Sequence, residues 1–228
     1  MKETMNYRHE YKHRITYLDF LVLKQRLSLT AHPDPHARED GTYHIRSLYF
    51  DNYKDKALVE KISGVNNREK FRIRIYNHST DLIRLEKKSK INGLCLKEET
   101  PLSKAECLRI LAGQTGWMKN ADVPLLCEFY AKMKHQLLRP KVLVDYTRLP
   151  FVYEPGNVRI TLDYDIRTGL VDTRLFDVDT PTVPVPDNAM ILEVKYDAFL
   201  PDVMRDMIEL WDRQTTSFSK YAACRMYY

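Results

Sequence analysis

The chain has 228 residues, 29% of them charged, and a formal net charge of +5. That length supplies one substantial core and is short for two full domains, and so modest a charge does not mark a nucleic-acid binder, so no nucleic-acid partner is expected. Cys95, Cys107, Cys127 and Cys224 form no CxxC pair and no secretory signal opens the chain, which points to reduced thiols in a cytoplasmic setting. No apolar run reaches the roughly 18 residues of a membrane span, so direct insertion is not expected and a membrane-bound partner stays open.

Past Met1–Glu3, read as a frayed start, Tyr7 to Ile15 reads as a strand. Side chains two apart in an extended chain share a face, so Arg8, Glu10, Lys12 and Arg14 crowd together and need water or a ligand. Thr16, with Asp19 three residues on, caps a helix carrying Leu18, Leu21, Val22 and Leu29, which Pro33 and Pro35 stop. His44 to Phe50 is a strand, Asp55 to Ile62 a short helix, and Gly64 to Asn67 a turn.

Charge then recurs with a period of two. In Phe71-Arg72-Ile73-Arg74-Ile75 the arginines share one face and the apolar residues the other. In Arg84-Leu85-Glu86-Lys87-Lys88, Arg84, Glu86 and Lys88 share a face, and Lys87 falls on the opposite one. An Asn92-Gly93 turn sends the chain back through Leu94 to Glu99, where Cys95, Lys97 and Glu99 lie together.

Ser103 and Glu106 form a capping box for a helix over Lys104 to Ala112, and a second helix runs from Val123 or Pro124 toward Gln136. Strands are expected at Lys141 to Tyr146, Phe151 to Tyr153, Val158 to Leu162 and Met190 to Tyr196. Pro181 to Pro186 reads as a loop, and Pro201 to Trp211 as a helix with proline in its first turn. The order is antiparallel strands with inserted helices rather than regular βαβ alternation. With seven glycines and no Gly-rich phosphate loop, any phosphate must be gripped by side chains.

The charged face continues in Arg148, Arg159 and the Glu193/Lys195 pair. For one strand, a solvated outer face is the ordinary reading. Recurrence on several strands favours a charged interior, which requires helices outside to cover the apolar faces. Fixed cations with a carboxylate for a divalent metal are what phosphoryl transfer needs.

The runs Ser47-Leu48-Tyr49-Phe50-Asp51, Arg68-Glu69-Lys70-Phe71-Arg72-Ile73-Arg74, Leu85-Glu86-Lys87-Lys88-Ser89, Leu192-Glu193-Val194-Lys195-Tyr196 and Phe218-Ser219-Lys220-Tyr221 resemble the VTC domain. That is the polyphosphate polymerase domain of the vacuolar transporter chaperone complex, within the triphosphate tunnel metalloenzyme (CYTH-like) superfamily. The resemblance covers about Tyr7 to Arg225 and implies an α+β fold: an eight-stranded antiparallel β tunnel, basic inside, with helices packed outside, as a single domain over residues 1–228. It further implies transfer of the γ-phosphate of ATP to a growing inorganic polyphosphate chain with Mn²⁺ or Mg²⁺. Carried over residue by residue, it implies catalytic Lys220, Arg72, Arg74 and Lys88, substrate-binding Lys12, Lys97, Arg148, Arg159 and Lys195, and Glu193 on the metal.

Lys195 serves either the tunnel or an ion pair with Glu193, and Arg46 and Arg139 either the tunnel or the surface. Glu10 resembles a shortened ExExK signature in which Arg8 replaces the first glutamate. Hydrolysis of a triphosphate on the same fold and polyphosphate binding without turnover are the competing readings. HxxxH spacing at His9/His13 and His32/His36 falls on a strand and across prolines, so no zinc site is expected. Cys95 reads as a packing residue, Tyr221, Tyr227 and Tyr228 as wall and terminus, and Trp117 and Trp211 as helix packing.

Overall fold

Apolar side chains alternate with charged ones in runs such as Phe71–Ile75 and Leu192–Lys195, and the fold places the two sets on opposite sides of one curled sheet. The computed structural model describes residues 8–92, 94–211 and 213–226. The readings at Met1–Glu3, Tyr7, Gly93, Tyr227 and Tyr228 lie outside them.

The strands are β1 (His9–Ile15), β2 (His32–Pro33), β3 (Tyr43–Asp51), β4 (Arg68–Tyr76), β5 (Ser79–Ile91), β6 (Leu94–Leu102), β7 (Arg139–Tyr153), β8 (Val158–Thr168), β9 (Val183–Pro184) and β10 (Met190–Tyr196). Eight of them pair in the order β1-β10-β8-β7-β3-β4-β5-β6, with two-residue β2 on β7 and β9 on β8. All pairings are antiparallel. The sheet curls until its edges meet, where Arg8 beside β1 bridges to Cys95 of β6.

Two apolar layers cover the outside. Phe50, Phe71, Ile73 and Leu85 pack under α3 (Lys104–Leu111) and α4 (Pro124–His135), through Ile110 and Phe129. Ile160, Leu162, Leu192 and Val194 pack under α1 (Tyr17–Thr30) and α5 (Asp202–Ile208), through Leu23, Leu27 and Met204. Thr16 and Ser103 close the capping boxes read from the sequence, each contributing about 0.5–2 kcal/mol.

A third layer fills part of the inside. Ile45, Val142, Val144 and Ile191 surround Tyr221 and Cys224 of α6 (Lys220–Arg225). These strand positions share the face of Arg72, Arg74 and Arg148, as the registers Ile45↔Tyr76, Ile45↔Tyr146 and Ile191↔Asp163 require. Short α2 (Lys56–Ile62) joins this layer through Ala57 and Leu58. Helix α6, which sequence reasoning did not foresee, therefore plugs the concave side. Ser219 accepts from the Ala222 N–H as its cap, and the Tyr221 hydroxyl donates to Asp51 at 2.6 Å.

Several local readings need correction. Leu18, Leu21, Val22 and Leu29, read as the apolar face of the first helix, are exposed, and α1 packs through Leu23 and Leu27 instead. The loop read at Pro181 to Pro186 contains β9. The expected strands at Lys141–Tyr146 and Phe151–Tyr153 are one, β7, running through Pro150. Pro150 lies past the last β3 pair, Tyr43↔Arg148, so its missing N–H breaks no ladder there. Helix α5 ends at Ile208 with Pro201 as its N-cap, and Trp211 is 93% exposed rather than packed.

Candidate functional site

Directly paired residues in antiparallel strands share a face, so the register fixes what points inward. One row reads Lys70↔Lys88↔Lys97 across β4, β5 and β6, and the next Arg72↔Glu86↔Glu99. Across the seam, Lys12↔Glu193↔Thr161 and Glu10↔Lys195↔Arg159 line β1, β10 and β8, with Arg148↔Asp163 beside them. Lys12, Arg72, Arg74, Lys88, Lys97, Arg148, Arg159, Lys195 and Glu193 thus occupy one concave face, to which α6 adds Lys220. Lys87, one step out of phase, turns outward to Glu128 at 2.7 Å.

Carboxylates interleave with these cations. Glu86, only 1% exposed, receives Arg72 Nε at 2.6 Å and Lys97 Nζ at 2.9 Å, with Arg74 at 3.7 Å. Burial alone would raise its carboxyl, but Arg72, Arg74 and Lys97 hold it far below the usual carboxylate range. Burial pushes the Lys97 ammonium down to about 8 against the pull of Glu86. Arg72 also donates to the Tyr49 hydroxyl at 2.6 Å, and Arg74 to Ser47 Oγ and the Tyr146 hydroxyl, both at 3.1 Å.

Around the wall, Asp163 takes a two-pronged contact from Arg148 at 2.6 and 2.8 Å and another from Lys220 Nζ at 2.5 Å. Lys220 also sits 4.6 Å above the Tyr146 ring. Glu193 pairs with Lys195 and lies 3.6 Å from Lys12, and Glu10 holds Lys12 at 2.8 Å and Lys88 at 2.7 Å. Burial opposes ionisation of Glu10, Asp163 and Glu193, yet the surrounding cations keep all three below their ordinary values. Lys195 therefore fills both roles left open by the sequence: it pairs with Glu193 and lines a cavity. Arg159 donates to Asp34 at 2.7 Å and to the Tyr43 hydroxyl at 2.5 Å. Arg46 is not a tunnel cation: it is buried against Asp145, with Nη2 2.8 Å from that carboxylate. Arg139 caps carbonyls of Met133 and Leu138.

The interior holds two cavities, of about 590 and 540 Å³, and Glu10 and Lys88 border both. The first lies toward α2 and Thr215–Ser219, the second toward Arg72, Arg74, Arg148 and Arg159. Cys95, expected as packing, lines both as well.

Among the described residues, no three His, Cys, Asp or Glu side chains converge as a metal cage. His9 stacks on Tyr196 at 4.9 Å, and His13 Nδ1 lies 3.3 Å from the Arg213 carbonyl. A hard divalent cation of the magnesium type needs only one or two protein oxygens when substrate phosphates complete its shell. Glu193 offers one such oxygen. Thr161, paired with it in register, has a buried Oγ1 without a hydrogen-bond partner. The pair fits such an ion.

Sequence reading missed Asp163, Tyr146 and Thr161. Asp163 and Thr161 share the parity of Arg159, a signal that was present.

A family model for the VTC domain matches residues 7–227. No curated protein sequence matches the chain. Among solved structures, the Hippeastrum protein HpAC1, designated an adenylyl cyclase and described with a dominant triphosphatase activity, superposes with a TM-score of 0.55 at 14% identity, over 96% of this chain and 95% of that one. The Mimivirus capping enzyme triphosphatase gives a TM-score of 0.42 at 11% identity, over 86% and 82%. At 14% identity the likeness to HpAC1 is one of fold alone.

Proposed function

The chain belongs to the VTC domain family, with a triphosphate-tunnel fold, and we propose that it is a metal-dependent polyphosphate polymerase acting on ATP and inorganic polyphosphate. In this reading residues 1–228 work as one cytoplasmic domain. No described helix is long and apolar enough to cross a membrane.

The observation that carries the choice of acceptor is the state of the wall carboxylates. Every carboxylate that lines the two cavities, Glu10, Asp34, Glu69, Glu86 and Glu99, is already held by a lysine or arginine, which leaves none free to take a proton. Attack by water calls for a base to take its proton. A terminal phosphate oxygen is already anionic and needs none.

Arg72, Arg74, Lys88 and Lys220 neutralise the transferring phosphoryl, while Lys12, Lys97, Arg148, Arg159 and Lys195 hold its flanking phosphates in line. A bound Mn²⁺ or Mg²⁺ on Glu193 and Thr161 would supply further neutralisation of the nucleotide phosphates. The acceptor's terminal oxygen forms the new P–O bond as the bond from the γ-phosphorus to the β–γ bridging oxygen breaks. ADP leaves with that oxygen, and the chain grows by one unit.

Hydrolysis of a triphosphate is the second reading, favoured by the description of HpAC1. Incubation with ATP and Mn²⁺, with products resolved by chain length, separates the two. Long chains that disappear in Glu193→Ala are expected. Orthophosphate alone would transfer the assignment to a triphosphatase, and retained polyphosphate binding without turnover would make the chain a binding module.

A further inference from the structure

The two cavities differ in how their cations are neutralised. Every arginine and lysine lining the second has a carboxylate within 3.7 Å, down to Arg84 on Glu99 and Arg8 on Asp197. The first cavity is lined by Arg8, Lys12 and Lys88, which hold carboxylates, and by Lys61, Arg68, Lys70 and Lys90, which make no ion pair among the described residues. Its carboxylates are already committed: Glu69 holds Lys132 and approaches Lys87, and Glu10 holds Lys12 and Lys88.

The four cations are forced together by the fold. Arg68 stands directly opposite Lys90, and Lys70 opposite Lys88, both like-charge cross-strand pairs that cost stability. Helix α2 brings Lys61 to the same space. Burial and then Arg68, Lys12 and Lys90 push the Lys61 ammonium down, and burial with Lys88, Arg72 and Lys12 pushes Lys70 to about 7 despite the Tyr49 hydroxyl. Across the cavity lie Thr215, Thr216, Ser217 and Ser219, a polar segment held by the Thr216 N–H donating to the Lys12 carbonyl at 2.7 Å. Half-buried, unpaired cations facing a polar segment in about 590 Å³ are costly in an empty cavity and suited to a polyanion.

We propose that this cavity, with Lys61, Arg68, Lys70 and Lys90 as its cations, holds the non-reacting run of a linear polyphosphate while its end lies beyond the Glu10–Lys88 contact. The inference rests on the placement of polyphosphate in the tunnel and adds where the body of the chain sits. Phosphate oxygens there meet cations that have no carboxylate to leave first. Each such charge-assisted contact is worth about a tenfold change in affinity.

The test is equilibrium binding, without turnover, of tripolyphosphate and of a much longer polyphosphate, read as the ratio of their dissociation constants across a salt series. The wild type binds the long chain more tightly. The combined variant Lys61→Ala/Arg68→Ala/Lys90→Ala loses that preference, and its salt slope for the long chain falls by about 2, the counterion release of three contacts to a flexible strand. Thermal unfolding checks that the variant folds, and Lys61→Ala alone, on the surface of α2, carries the same comparison with a smaller loss. An unchanged ratio in the variants overturns the proposal, as does a wild type without preference for the longer chain. A protein that only hydrolyses ATP would refute the polymerase and still show the preference, so the two failures are distinguishable.

Discussion

The two halves of the interior are built from the same residue types and differ in what each cation faces. Toward Arg148 and Arg72 the wall carries its own anions: Asp163, Glu86, Glu193 and Asp34 sit between the arginines and lysines. Toward α2 the cations face one another and the polar segment Thr215–Ser219. The first arrangement holds side chains in fixed positions before any ligand arrives, which suits the reacting phosphates. The second leaves its field available to a ligand, which suits length-dependent capture of a chain.

The largest effect comes from breaking the neutralised half. Asp163 is fully buried and is the counterion of both Arg148 and Lys220. Asp163→Ala removes the direct counterion of two buried cations, and a loss of roughly 3–5 kcal/mol is expected in denaturant unfolding. Lys61→Ala in the other half should stay within about 0.5 kcal/mol of the wild type, since it makes no ion pair among the described residues. Equal losses from the two substitutions would erase the distinction between the halves.

Glu86→Gln sharpens it. The change keeps the side-chain shape and removes the anion shared by Arg72, Arg74 and Lys97. Tripolyphosphate should then bind about tenfold more tightly, because the ligand no longer competes with a wall carboxylate. Stability should move the other way. The folded Glu86 carboxyl lies below its unfolded counterpart, so its stabilisation is complete above the ordinary carboxylate range of roughly 4 to 5 and fades as pH falls below it. Acid unfolding of Glu86→Gln should therefore be less steep than that of the wild type.

The period-two alternation made the wall legible from sequence, because a strand has only two faces and Lys87 marks the boundary between them by turning out. Its partners were not legible. Arg46 and Arg148 carry the same charge on the same sheet, yet one is buried against Asp145 and the other reaches the cavity, a difference set by the register of β3, β7 and β8. Helix α6 escaped detection because six residues carry no periodic signal, and its place is fixed by distant contacts such as Tyr221 to Asp51. Arg68, Lys70 and Lys90 were within reach, since they share the parity of Arg72 and Lys88. Only the structure showed that they pair with no carboxylate among the described residues.

Lys70 provides the smallest and most selective test, since it belongs to the unpaired half but touches the paired one through Tyr49. Its ammonium lies 5.6 Å from the Tyr49 ring, whose hydroxyl accepts from Arg72. Burial, with Lys88, Arg72 and Lys12 nearby, brings Lys70 to about 7. Burial would raise the Tyr49 phenol, but Arg72, Lys70 and Arg74 bring it to about 7 as well. Both groups act in one direction: below neutrality the site gains an ammonium and keeps a neutral phenol, and above it the site loses the cation and gains a phenolate. Binding of long polyphosphate should thus strengthen by roughly threefold to tenfold as pH falls through 7. The ligand titrates in the same range, so the informative quantity is the difference between variants. Lys70→Arg, charged throughout, should bind tightly with a flatter profile, and Lys70→Gln should bind weakly with an equally flat one. If Tyr49→Phe removes the wild-type pH dependence and Lys70→Arg preserves it, the phenol is the titrating group and the unpaired half ends at Lys61, Arg68 and Lys90.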